Sequence, residues 1–333
     1  MTLVHGKKFP EQAGKPQCKG VKVLNRFQRI LTGMEITPES VKLVRVLREK
    51  RGWKLLGCIS VPFPDETLKL SYKNQNVNDP QAFNRAIREV IRRAEMKGGP
   101  VGLSIPSEVV KVSIQHYAEL PGSREETERM IGWWSRKSLP FPVEGSRISY
   151  HVLGENSRGE KKLLVAIGFK EVIREYEMDL REVKIHPEVI RPSCLNQFNF
   201  FQERIPPSGV IGFLGLLENF FTFFVFEDGN LVFYHGVRRG FSDIHFFQDV
   251  EMTMELYQNE NPDKELERLF FATQAGFGKD LRKGLESVGE MEVLELNAAD
   301  IINASEIEGS GDGRLDLGRY ASAIGAAQSL IER

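Results

Sequence analysis

The chain has 333 residues, with 45 Lys and Arg against 46 Asp and Glu, for a formal net charge of −1. A balanced charge excludes bulk electrostatic binding of nucleic acid. With 41% hydrophobic and 27% charged residues, the composition is that of a globular protein long enough for two domains.

Cys18, Cys58 and Cys194 lie far apart and have no metal-ligand spacing, so they read as inert thiols of a reducing compartment. No apolar run approaches the ~20 residues that span a bilayer. The nearest, 210–226, is broken by Glu218, Asn219 and Thr222, and no apolar stretch follows Lys7 and Lys8 as in a secretory signal. A cytoplasmic protein that touches membrane only peripherally is expected.

Residues 1–20 are rich in Gly, Pro, Lys and Gln and are expected to form a disordered tail. In 21–31, Val23, Leu24, Phe27, Ile30 and Leu31 share one face at helical spacing, while Lys22, Arg26 and Arg29 share the other. Such a basic amphipathic segment either lies on anionic lipid or a partner, or packs on the body. The folded body is expected from about Ile30.

Strand-like runs at 34–36, 41–47 and 53–61 are joined by Thr37-Pro38-Glu39 and Lys50-Arg51-Gly52. Asp79-Pro80 opens a helix with an apolar stripe of Phe83, Ile87, Val90, Ile91 and Ala94, stopped by Gly98-Gly99. Strands at 101–105 and 109–117 flank Pro106. Ser123, ahead of Glu125 and Glu126, caps a helix running to about Lys137. Leu139-Pro140-Phe141-Pro142 ends it, with Phe141 expected to be buried. Trp133 and Trp134 are adjacent and cannot share one helical face, so one is expected in the core and the other exposed. A hairpin of 148–153 with 163–168 and a helix at 170–183 complete a compact α+β insert, assigned to 99–193.

From residue 210 the opening pattern returns as strands at 210–214, 220–226 and 231–234 around Glu227-Asp228-Gly229-Asn230. This repeat of architecture suggests two similar lobes facing each other across a cleft. The Phe-rich run 220–226 reads as strand core. Helices at 244–258 and 262–270 follow. A run at 269–273 then leads into Ala275-Gly276-Phe277-Gly278 and a helix at 279–287. A short strand at 293–296, a Gly and acid loop at 306–314 and a small-residue helix at 318–331 complete the pattern. The six histidines make no ligand spacing.

Several motifs now stand in one order: Ser104-Ile105-Pro106, Glu119-Leu120-Pro121, Leu139-Pro140-Phe141-Pro142 and Tyr150-His151-Val152-Leu153-Gly154. In this the chain resembles the PilM family of type IV pilus assembly proteins over roughly 30–333. The resemblance implies an α/β, actin-like (ribonuclease H-like) two-lobed fold with an inserted α+β subdomain. It places the first lobe at 30–98, completed by 318–333, the insert at 99–193 and the second lobe at 194–317. It also implies a cytoplasmic scaffold that binds the cytoplasmic N-terminal segment of a PilN-like inner-membrane protein and connects to pilus motor ATPases.

The family's first phosphate loop, Asp-Ile-Gly-Ser-Ser-Ser-Val-Lys, corresponds here to Glu35-Ile36-Thr37-Pro38-Glu39-Ser40-Val41-Lys42. Glu35, Ser40 and Lys42 keep their chemistry. Pro38 removes an amide donor, Thr37 replaces a permissive Gly, and Glu39 adds charge where phosphate would sit. The second loop, near 215–221, has lost its Asp. The adenosine-side glycines are thinned to Gly276 and Gly278. The site therefore reads as vestigial. No catalysis and no cofactor are expected, Lys42 is expected to be dispensable for folding, and ATP with magnesium stands as the alternative. In the family the PilN segment docks between the first lobe and the insert, which here implicates Ile105, Val110 and Val112 with Val44 of the first lobe. A functional ATP-binding protein of the same machine and a cytoplasmic adaptor of a type II secretion system are the competing readings.

Overall fold

The computed structural model describes residues 29–50, 52–156, 158–273, 278–307 and 315–331. Strands β1 (Ile30–Ile36), β2 (Ser40–Glu49) and β3 (Gly52–Pro62) form an antiparallel meander in which Glu35 faces Lys42 and Leu31 faces Val46. The end of the amphipathic segment, Ile30 and Leu31, is strand, because ladder pairing and burial of Leu31 outweigh local helical spacing. The rest of that segment and the tail before it lie outside the described residues.

Helix α1 (Pro80–Arg93) starts as its sequence dictates. The Asp79 carboxylate accepts a 2.9 Å bond from the Ala82 amide, and Pro80 occupies the first turn. Next come β4 (Gly99–Ile105), β5 (Val110–Tyr117), α2 (Arg124–Ser135), β6 (Ser146–Glu155), β7 (Lys161–Phe169), α3 (Lys170–Glu182), β8 (Ile185–Pro192) and α4 (Ser193–Phe201). The chain continues through β9 (Val210–Leu216), β10 (Phe221–Glu227), β11 (Asn230–Val237), α5 (Phe246–Glu260), β12 (Arg268–Ala272), α6 (Gly278–Glu286), β13 (Glu292–Glu295), β14 (Ile302–Asn303) and α7 (Ala321–Gln328).

Two large sheets result, in the orders β14-β3-β2-β1-β4-β8 and β11-β10-β9-β12-β13, with a smaller sheet β5-β7-β6 beside the first. The smaller sheet, with α2, is the insert. Strands β4 and β8 do not belong to it, although both fall within 99–193. β4 pairs parallel with β1, and β8 pairs parallel with β4, a non-local pairing that no local pattern reveals. The helix expected at 262–270 is absent: residues 268–272 form β12, sandwiched between β9 and β13.

On one face of the first sheet, α1 and α3 bury Met34, Leu43, Val101 and Leu103 under Phe83, Ile87 and Tyr176. The other faces of the two large sheets meet around α4 and α7, both buried along their whole lengths. Phe198 of α4 stacks on Phe224 at 4.9 Å and on Phe226 at 5.2 Å, which makes the Phe-rich strand core. Small residues set the separations. A Cβ on Gly33 or Gly102 would lie 1.9 or 1.8 Å from a carbonyl oxygen of α7, and one on Gly325 would lie 1.9 Å from the Asn196 oxygen of α4.

Candidate functional site

The β1–β2 turn (residues 37–39) and the β9–β10 turn (residues 217–220) face each other across the cleft between the lobes. Together they line a small cavity with Glu35, Glu108 and Ser193. In a working phosphate loop the turn amides point at the ligand. Here they are occupied from within. The Thr37 amide donates to the Ser40 carbonyl at 2.9 Å. Thr37 Oγ1 accepts from the Glu39 amide at 3.3 Å and the Ser40 amide at 3.1 Å, and lies 3.2 Å from Ser40 Oγ. Pro38 has no amide to offer. The opposite turn closes on its own bond, Leu217 amide to Phe220 carbonyl at 2.8 Å, with both side chains buried.

Lys42, which keeps the lysine of the family's first phosphate loop, is 4% exposed. Its Nζ donates to Oε2 of Glu35 at 3.3 Å, directly across the ladder. The expectation that Lys42 is dispensable for folding does not fit this burial. Oε1 of Glu35 has no protein partner. Burial pushes the carboxyls of Glu218 and Glu108 above the ordinary glutamate range. At Glu218, Lys42 pulls down while Glu39 and Glu35 push further up. A larger cavity of about 580 Å³ opens beside the first turn, lined by Glu39, Asp65, Glu66 and Glu218 against only Lys42 and Arg319 among charged groups. A polyphosphate would meet net negative charge there. Gly276 lies outside the described residues, and Gly278 is the first residue of α6.

A second concavity lies between the insert and the first lobe. It encloses about 140 Å³ and is lined by Ile105, Val110, Arg147, Ser149, Ala166 and Gly168, then by Ile173 and the β8 run 189–192. Alternation places it. Residues 147 and 149 of β6 and residues 166 and 168 of β7 show one face of the insert sheet, while Leu163, Val165 and Ile167 pack the other face under α2. Ile105 and Val110 therefore line this groove. Val112 is half-buried between the cores, and Val44 does not reach the groove. It is fully buried on β2, between β1 and β3, so β8 supplies the first-lobe wall instead. The strand period at 147/149 and 166/168 was the available signal for the residues sequence reasoning missed.

Phe141 is buried against Phe169, as expected. The Trp pair differs from expectation: Trp133 is 55% and Trp134 64% exposed. The buried stripe of α2 runs through Thr127, Ile131, Gly132 and Ser135, and neither ring falls on it.

No curated protein sequence matches the chain. Among solved structures, the PilM–PilN type IV pilus biogenesis complex matches with TM-score 0.77 at 16% identity, over 91% of this chain and 99% of that one. A Bacteroides thetaiotaomicron protein with an actin-like ATPase fold matches at TM-score 0.51 and 10% identity, over 92% and 99%. The cytoplasmic domain of EpsL, an inner-membrane component of the Vibrio cholerae type II secretion system, covers 74% and 84% at TM-score 0.47 and 11% identity. The fold is thus actin-like. No helix among the described residues is long and apolar enough to cross a membrane. The model of the family described as type IV pilus assembly protein PilM matches residues 33–240, most of the chain, and the protein belongs to that family.

Proposed function

We propose that this protein works as an adaptor of a type IV pilus machine at the cytoplasmic face of the inner membrane, and that it holds an extended segment of a PilN-like membrane protein in the groove between the insert and β8. The observation that carries this reading is the groove itself. It is mainly apolar, and β8 is the outermost strand of its sheet among the described residues. An extended peptide binds such a place by main-chain pairing along an edge, with pockets for alternate side chains. The structure that pairs a PilM with a PilN supports the identity of the partner.

The nucleotide cleft plays no catalytic part in this reading. The amides of its first turn are occupied, its lysine is paired, and the adjoining cavity is predominantly acidic. One observation favours the competing reading of an ATP-binding protein: a cavity of about 580 Å³ is large enough for a nucleotide. Docking to motor ATPases belongs to the same proposal and rests only on the resemblance described above.

The test is a fluorescence-anisotropy titration of the full chain with a labelled peptide copied from the cytoplasmic segment of the partner encoded with it. Saturable binding is expected, with a loss of about tenfold or more in Ala166→Leu, which narrows the groove without adding charge. Binding unchanged by Ala166→Leu and by Val110→Asp would remove the groove from the mechanism.

A further inference from the structure

Helix α2 lies on the face of the insert sheet turned away from the groove. Its inner stripe is used: Ile131 sits in a core with Tyr117, Phe141, Leu163, Val165 and Ile167. Its outer face ends in two tryptophans, 55% and 64% exposed. The rings of Trp133 and Trp134 meet edge to face at 5.2 Å. The guanidinium of Arg136 sits 4.2 Å from the centre of the Trp133 ring. Arg129, Arg136 and Lys137 are all exposed, and they are the only charged side chains between residues 129 and 143. Lys111 joins them from β5, its Nζ donating to the Ser138 carbonyl at 3.1 Å. Acidic side chains lie on the first turns of α2, where Glu128 is paired with Arg124 at 2.9 Å, and at exposed Glu144 just past this stretch.

Two adjacent, half-exposed indoles, one with an arginine on its face and both with exposed basic residues nearby in sequence, match one environment by chemistry. At the headgroup level of a bilayer, indoles bury their flat faces at the acyl boundary and keep the N–H hydrated, while Arg and Lys reach anionic phosphates. An ordinary soluble surface gives no reason to leave two of the chain's three tryptophans out in water; the third, Trp53, is 7% exposed. We propose that the C-terminal turn of α2, through Trp133, Trp134, Arg136 and Lys137, docks directly on an anionic phospholipid bilayer. The contact needs no partner protein. It stands apart from the groove, which opens on the other face of the same sheet, so the partner's cytoplasmic segment can occupy the groove while the insert rests on the lipid.

The arrangement supplies its own probe. Because Trp53 is buried, a change in emission on adding vesicles reports the exposed pair. The full chain is mixed with vesicles of phosphatidylcholine alone and of phosphatidylcholine with phosphatidylglycerol, then followed by sedimentation and tryptophan emission. Binding with a blue shift is expected on anionic vesicles only, weakening as salt rises. Binding is expected to fall by about tenfold or more in Trp133→Ser/Trp134→Ser and in Arg136→Glu/Lys137→Glu. All four positions are exposed, so both variants should keep the parent melting temperature, which is checked first. Equal binding to neutral vesicles, sedimentation without a blue shift, or variants that bind as the parent does would each overturn the proposal. So would a failure to bind lipid together with loss of the partner peptide in the Trp variant, since the patch would then be a protein-binding surface.

Discussion

Nζ of Lys42 lies 3.3 Å from Oε2 of Glu35, and the two side chains are 5% and 1% exposed. Each is the other's compensation, so the lysine that would meet a phosphate is held by a carboxylate in a place water barely reaches. Removing only one member leaves a buried charge alone. Lys42→Ala is expected to cost about 3–5 kcal/mol of stability, whereas the double change Glu35→Met/Lys42→Met should recover most of it. Urea denaturation of the three proteins at neutral pH checks this. Equal midpoints for parent and Lys42→Ala would show that the pair is not closed in solution.

The same pairing bears on nucleotide. Calorimetric titration of the full chain with ATP and magnesium is expected to show no saturable heat, because Thr37 and Pro38 leave the first turn without free amides and the adjoining cavity is acidic. Micromolar binding would sink the adaptor-only reading and favour a nucleotide-gated switch.

The carboxyls of Glu108 and Glu218 ionise less readily in the fold than in the unfolded chain, chiefly because of burial. A group shifted this way stabilises the fold while protonated, fully so below its unfolded pKa. That contribution is lost as pH rises through the raised value. Glu108→Gln should therefore melt above the parent near neutral pH, with the gap closing toward about pH 4, where both states of the parent carry the proton. Thermal melts across that window test the sign. A gap that widened on acidification would mean the carboxylate is held ionised by Arg238 rather than strained by burial.

Close backbone approach around α7 makes a sharper contrast. Gly102→Ala and Gly325→Ala each drive a Cβ against a backbone oxygen, at 1.8 and 1.9 Å, and should cost about 3 kcal/mol or more or prevent soluble expression. Gly57→Ala meets nothing within 4 Å and should be nearly neutral. Chemical denaturation of the soluble variants ranks them.

Local chemistry made much of this molecule legible. Asp79-Pro80 announces α1, the unbroken apolar run at 163–167 announces β7, and the alanines of 321–327 announce a helix that must be packed closely. What failed was non-local. Strand β4 reads as part of the insert and β8 is not seen as a strand at all, because their partners in the ladder lie far away in sequence. Val44 looked available because a strand pattern does not say whether the strand is central or at an edge, and β2 is central. In the cleft, the sequence showed what Pro38 and Glu39 take away. It did not show that the Thr37 hydroxyl would turn back on its own loop, since that competition between bonding to the chain and bonding to a ligand is decided by geometry. The tryptophans were misjudged for a related reason. A stripe made of Thr127, Ile131 and Ser135 is narrow enough to miss both of two neighbouring residues.

Helix α7 touches β1 and β4 more tightly than side chains would permit, yet β1 opens the described chain and α7 nearly closes it. Made vectorially on a ribosome, the first sheet therefore waits, with its Gly33 and Gly102 face uncovered, while the insert and the whole second sheet are synthesised. The insert core around Tyr117, Ile131 and Phe141 is assembled from one continuous stretch and meets no such delay. Nascent chains arrested before residue 315 should accordingly present a finished insert on an open first lobe, a species with exposed strand and apolar surface that chaperones would recognise.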